Sequence, residues 1–163
     1  MSAIYISQGE IAVGRDPEMV VPTILGSCIS ICLWDPVAGV GGMNHLLLPE
    51  MSKGDATSGA VAMDRLINEM MPLGAERPRL NAKLFGGSSM LSGRTDIGAR
   101  NADFGRTYLR NEGIRCEAES VGGTRARRLR FWPATGVAQI KVVDEAPTLA
   151  SPIAEAANDV ELF

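Results

Sequence analysis

A succession of short apolar runs, broken by glycine and proline and interrupted only twice by helical spacing, constrains the fold of this chain most. Residues 20–25 form an apolar run that stops at Gly26. Residues 29–34, with Ile29, Ile31, Cys32, Leu33 and Trp34, read as a largely buried strand ended by Asp35-Pro36, and residues 39–48 offer a partner strand across that turn. Residues 4–13 mix polar and apolar side chains as an early strand or strand pair would, and residues 80–85 form another strand before Gly86-Gly87-Ser88-Ser89. Ile114, Cys116 and Ala118 alternate with Arg115, Glu117 and Glu119, the pattern of a strand covered on one face, which sends Cys116 inward. A hairpin closes the series: residues 128–132 approach the turn Pro133-Ala134-Thr135-Gly136 and residues 137–143 return. Helical spacing is confined to residues 60–71, where Val61, Met63, Leu66, Ile67 and Met70 share a face, and residues 98–110, where Phe104 and Tyr108 do. Pro72-Leu73-Gly74 stops the first helix and Gly113 the second, and the small, polar residues 51–59 read as a loop.

Strands outnumber helices and no long βαβ alternation runs through the chain. The expected fold is therefore mixed α+β, with mixed β-sheet layers packed against about two main helices. At 163 residues one domain is expected. It spans residues 1–143, and residues 144–163 form an acidic tail expected at the periphery, with apolar residues able to dock. Five of the nineteen acids (Asp144, Glu145, Glu155, Asp159 and Glu161) lie after Val142 with no Lys or Arg among them, so the preceding body is slightly basic. Such a nearly neutral body argues against a dedicated nucleic-acid binder. No window approaches the roughly 20 apolar residues that cross a bilayer. The start, Met1-Ser2-Ala3-Ile4, lacks the basic and apolar regions of a secretory signal, so membrane insertion is not expected and the cytoplasm is the expected compartment.

Chemistry concentrates on one cysteine and the lone histidine. Cys28 follows Leu25-Gly26-Ser27, where Gly26 permits a tight turn, small Ser27 limits crowding, and backbone N–H groups can face the oxygen of an attacked carbonyl. A thiolate is the strongest common nucleophile among side chains, and His45, after Gly41-Gly42-Met43-Asn44, can take its proton if the strands pair. The plainer alternative is a small buried hydrophobe at Cys28 and a satisfied core histidine. Cys32 lies along the same strand face, about 13 Å from Cys28 at roughly 3.3 Å per residue, too far for a disulfide or a shared metal. The three cysteines have no zinc-knuckle spacing. Gly86-Gly87-Ser88-Ser89 lacks the lysine of a phosphate-binding loop and reads as tight turns bordering a cleft. Arg125, Arg127, Arg128 and Arg130 could touch phosphate but read rather as a solvated face or a contact for an acidic protein surface.

At Leu25-Gly26-Ser27-Cys28, Asp35-Pro36, Gly41-Gly42-Met43-Asn44-His45 and Leu48-Pro49 the chain closely resembles the CheD family, the chemoreceptor glutamine deamidases of bacterial chemotaxis. Similar features recur at Ala82-Lys83-Leu84-Phe85-Gly86-Gly87, Ile97-Gly98-Ala99-Arg100-Asn101, Val121-Gly122-Gly123 and the Gly136 hairpin, so the resemblance covers residues 4–143. It implies an architecture related to cysteine deamidase toxins. It also implies a cysteine hydrolase, a protein-glutamine glutaminase, that converts receptor glutamines to glutamates, with possible action on glutamate methyl esters. Cys28 and His45 match the family's nucleophile and base, and no metal or organic cofactor is implied. The third catalytic residue of the family is often a threonine in the strand before the cysteine. Thr23 is the available one, although Pro22 holds the ungapped position and a one-residue shift reverses the strand face. Implied partners are the cytoplasmic domains of methyl-accepting chemoreceptors and, in some organisms, a CheC-type phosphatase. The alternative in another class is a noncatalytic chemotaxis adapter.

Overall fold

The computed structural model describes residues 2–48, 55–90, 96–143 and 160–163. Among the described residues, ten strands form two five-stranded sheets. The first runs β1 (Ser2–Ala3), β3 (Met19–Leu25), β8 (Ala126–Trp132), β9 (Val137–Val143), β10 (Val160–Leu162); the second runs β2 (Ile11–Gly14), β5 (Val40–Asn44), β4 (Ile29–Asp35), β6 (Asn81–Gly86), β7 (Arg115–Val121). Two helices, α1 (Asp55–Met70) and α2 (Ile97–Asn111), pack on the second sheet. The β1–β3 and β6–β7 pairs are parallel and the rest antiparallel, so both sheets are mixed.

The second sheet is the middle of three layers, which explains the unbroken apolar run of β4. Ile29, Ile31 and Leu33 face the helices and join Met63, Leu66, Ile67, Met70 and Leu109 in one core. Cys28, Cys32 and Trp34 face the first sheet and a second core around Leu25, Phe85, Leu129 and Phe131. A strand buried on both faces cannot show simple alternation.

The β4–β5 turn is fixed by Asp35, whose fully buried carboxylate accepts the N–H groups of Val37 (2.9 Å), Ala38 (3.0 Å) and Glu76 (2.9 Å) and the guanidinium of Arg79 (3.0 Å). Burial by itself raises a carboxyl pKa, but these donors outweigh it and hold Asp35 below its ordinary value.

Several expectations are corrected. Residues 55–59, expected in a loop, begin α1: Gly59 is small because the Phe104 ring of α2 presses on it. Cys116, expected in the core, is exposed, because β7 is an edge strand and its register against β6 slips between Ala82 and Lys83, skipping Glu117 and undoing the alternation. The arginine cluster is divided. Arg125 and Arg130 are exposed, whereas Arg127 is buried. Of the acidic tail, residues 144–159 lie outside the described residues. Residues 160–162 form the edge strand β10, and the Phe163 ring meets Phe85 edge-on at 5.4 Å between centroids.

Candidate active site

Cys28 occupies the short link between β3 and β4, half-buried at the mouth of the inter-sheet layer. All three carbonyls of that link are held. Gly26 accepts from the Ser88 N–H (3.0 Å), Ser27 from Asn101 Nδ2 (2.8 Å) and Cys28 from the Gly87 N–H (2.9 Å). The glycines after β6 make this approach possible: Gly86 has φ +105°, and a side chain there would strike the Cys28 carbonyl.

His45 follows β5, its backbone bonded to Glu10 (N to O, 3.2 Å) and Gly9 (O to N, 2.9 Å). The β4–β5 ladder, which pairs Cys32 with Met43, continues to a bridge between Ile29 and Leu46 whose two N–H···O bonds are 2.9 and 2.7 Å. His45 is therefore opposite Ser30 in a non-hydrogen-bonded pair, the arrangement in which side chains come closest. Cys28, just before β4, falls by alternation on the same face as Ser30 and His45. Hairpin register thus sets Cys28 and His45 on the same face of the second sheet.

Thr23 comes from the other sheet. β3 turns Val21, Thr23 and Leu25 into the inter-sheet layer, so Pro22 takes the opposite face. Thr23 Oγ1 lies 2.7 Å from the Ile6 carbonyl and 2.8 Å from His45 Nδ1, both bonds buried. A hydroxyl has one hydrogen and a carbonyl can only accept, so Thr23 donates to Ile6 and accepts from Nδ1–H. This assigns the neutral ring its tautomer and leaves the Nε2 lone pair free.

Burial lowers the His45 pKa, partly offset by the Glu10 carboxylate, and burial raises that of the Cys28 thiol. Both shifts favour the neutral forms, thiol and imidazole, over the charged ones.

Three contributors were not singled out individually in the sequence. Asn101, fully buried on α2, also accepts the Leu48 N–H at 3.1 Å; an asparagine inside a helix, where its propensity is poor, was the available signal. Arg127 donates to Ser88 Oγ (2.8 Å), Ser120 Oγ (3.0 Å) and the Gly86 carbonyl (3.3 Å), bracing the glycine turn behind Cys28. Its place in an alternating strand beside inward Leu129 was the hint. The Ile6 carbonyl is a backbone group and left no trace in the residue types.

A family model described as CheD chemotactic sensory transduction matches residues 47–142. That span begins beyond Thr23, Cys28 and His45, but full-length relatives extend over them. A Caulobacter vibrioides protein named probable chemoreceptor glutamine deamidase CheD is 46% identical over 173 residues, covering 98% of this chain and 92% of its own. One of the same name from Cereibacter sphaeroides is 53% identical over 142 residues, covering 85% of this chain and 71% of its own. One from Zymomonas mobilis is 44% identical over 168 residues, covering 98% and 92%.

Proposed function

Because this chain belongs to the CheD family, we propose that it is a chemoreceptor glutamine deamidase in which Cys28 is the nucleophile, His45 the general base and acid, and Thr23 the residue that orients His45. The observation that carries this reading is the buried relay from the Ile6 carbonyl through Thr23 Oγ1 to His45 Nδ1, which leaves the Nε2 lone pair available to act as a base.

In the reaction, Nε2 takes the Cys28 proton as Sγ attacks the glutamine carboxamide carbon. The oxyanion is met by backbone N–H groups of the Ser27–Cys28 link. The imidazolium then protonates the departing nitrogen, ammonia leaves, and a thioester remains on Cys28. A water deprotonated by Nε2 attacks the thioester, the thiol leaves with its proton restored, and glutamate stays on the receptor. A glutamate methyl ester would reach the same thioester with methanol as leaving group. No helix among the described residues is long and apolar enough to cross a bilayer. We assign the activity to the cytoplasm, where receptor signalling domains lie, with a CheC-type phosphatase as a further partner.

Site-resolved mass spectrometry tests the reading. Wild-type protein incubated with intact chemoreceptors converts particular glutamines to glutamates with release of ammonia, and Cys28→Ala abolishes conversion while retaining receptor binding. Unchanged glutamines across several receptors exposed to reduced, folded wild-type protein would refute it. A noncatalytic adapter would signal equally well with Cys28→Ala.

A further inference from the structure

The side-chain amide of Asn101 ties two parts of the site together beyond the last backbone bridge between them, Ile29–Leu46. Nδ2 donates to the Ser27 carbonyl in the nucleophile link, and Oδ1 accepts the Leu48 N–H three residues after His45. The chemistry of those partners allows only this orientation of the amide. Asn101 is fully buried, and α2 reaches the link because Gly98 presents no side chain to the Ser88 carbonyl.

A trans peptide points its C=O and N–H in opposite directions. Holding the Ser27 carbonyl toward α2 therefore turns the Cys28 N–H away from α2. The Ser88 N–H, on the Gly26 carbonyl, does the same for the Ser27 N–H. No described residue accepts a hydrogen bond from either amide. Two adjacent donors beside a nucleophilic sulfur, with their carbonyl ends fixed, form an oxyanion site whose aim is set from behind.

We propose that Asn101 is a positioning residue, which aims the Cys28 N–H at the reaction's oxyanion and fixes the nucleophile link to the His45 segment. This rests on the hydrolytic reading above, but its test does not require turnover. Butanal adds reversibly to a thiol: Sγ bonds to the aldehyde carbon, the thiol proton finishes on the former carbonyl oxygen, and nothing leaves. That adduct oxygen occupies the oxyanion site. Iodoacetamide instead alkylates Sγ by displacing iodide and develops no oxyanion.

Butanal affinity is measured as protection of Cys28 from iodoacetamide, read by intact mass. Asn101→Asp, which keeps the acceptor for Leu48 but loses the donor to Ser27, and Asn101→Ala should each weaken butanal binding about 10- to 100-fold, within the effect of losing one oxyanion donor. Alkylation of Asn101→Ala without butanal should change less than about threefold, since that variant adds no charge beside the thiol. Equal losses in both reactions would mean a collapsed link and overturn the proposal, as would unchanged butanal affinity. Wild-type protein gives a check that no variant can spoil: the Cys28 amide proton resonance should move downfield when butanal adds, and an unmoved resonance would overturn the assignment. Receptor deamidation by the wild type, measured separately, decides the functional reading on its own.

Discussion

Thr23→Val tests whether the relay across the sheets orients the base. Valine keeps the shape of threonine and removes Oγ1, so the Ile6 carbonyl and His45 Nδ1 each lose a partner at 2.7 and 2.8 Å. Two buried hydrogen bonds at about 0.5–1.5 kcal/mol net predict a stability loss of roughly 1–3 kcal/mol, detected as a melting point lowered by about 2–4 °C per kcal/mol. The kinetic loss has a separate origin. Leaving Nδ1–H buried without an acceptor costs about 1–3 kcal/mol, and the ring escapes by moving its proton to Nε2, where it can no longer accept from Cys28. At about 1.36 kcal/mol per tenfold, kcat should fall roughly 5- to 150-fold with little change in KM. Thr23→Ser, which retains Oγ1, should recover most of the rate. Receptor deamidation followed by mass spectrometry on folded protein measures it. A Thr23→Val protein with kcat within about twofold of wild type would refute the orienting role.

The pH profiles should carry the signature of a neutral pair. With burial raising the Cys28 thiol and lowering the His45 imidazole, the alkylation rate should still climb beyond pH ~8.5, and the acid limb of kcat/KM should lie below ~6.5. A thiol already fully reactive near pH ~5 would instead indicate a preformed ion pair. Asp35→Ala should destabilise the fold by about 2–4 kcal/mol at neutral pH, by stranding the donors gathered on the carboxylate. Because the folded pKa of Asp35 is depressed, its contribution is present above the unfolded value near ~3.9 and lost as pH falls through the folded value. The stability gap between wild type and variant, read by denaturant titration, should therefore narrow in acid, and a gap constant with pH would contradict this. Gly86→Ala places a side chain against the Cys28 carbonyl at a positive φ. It should cost about 1–3 kcal/mol and slow Cys28 alkylation, and an unaffected thiol would show that the glycine turn does not hold the nucleophile.

The parts of the fold that could be read from residue types were those in which local pattern and tertiary environment agree. Residues 29–34 are uniformly apolar because β4 has a core on each side, and Asp35-Pro36 turns the chain because the Asp35 carboxylate gathers the N–H groups beyond it. The β4–β5 pairing that sets His45 beside the start of β4 was legible for the same reason, since the turn at Asp35-Pro36 joins adjacent strands. Patterns misled where a neighbour far along the chain decided the outcome. Gly59 signals a loop until Phe104 is seen packed against it, and Cys116 alternates correctly until the slip opposite Ala82 exposes it. Arg127 reads as surface until Ser88 and Ser120 satisfy it in the interior. The side of β3 that Thr23 takes depends on register with β8, which no residue near Thr23 encodes.

The division of the site between two sheets has a mechanical consequence. Cys28 stands at the root of β4, its carbonyl held by Gly87 at the end of β6, and His45 follows β5, so sliding one sheet over the other disturbs their spacing less than it disturbs the 2.8 Å bond from Thr23 to His45, which crosses the sliding plane. Packed sheets shear by small increments as rigid units. Turnover is therefore far more sensitive than thiol exposure to anything that alters the seating of the sheets, including a trimmed side chain at Leu129 or Phe131, well away from the chemistry. Such a change would leave a protein that is folded and alkylated at the normal rate, yet slow, because its base has lost its bearing.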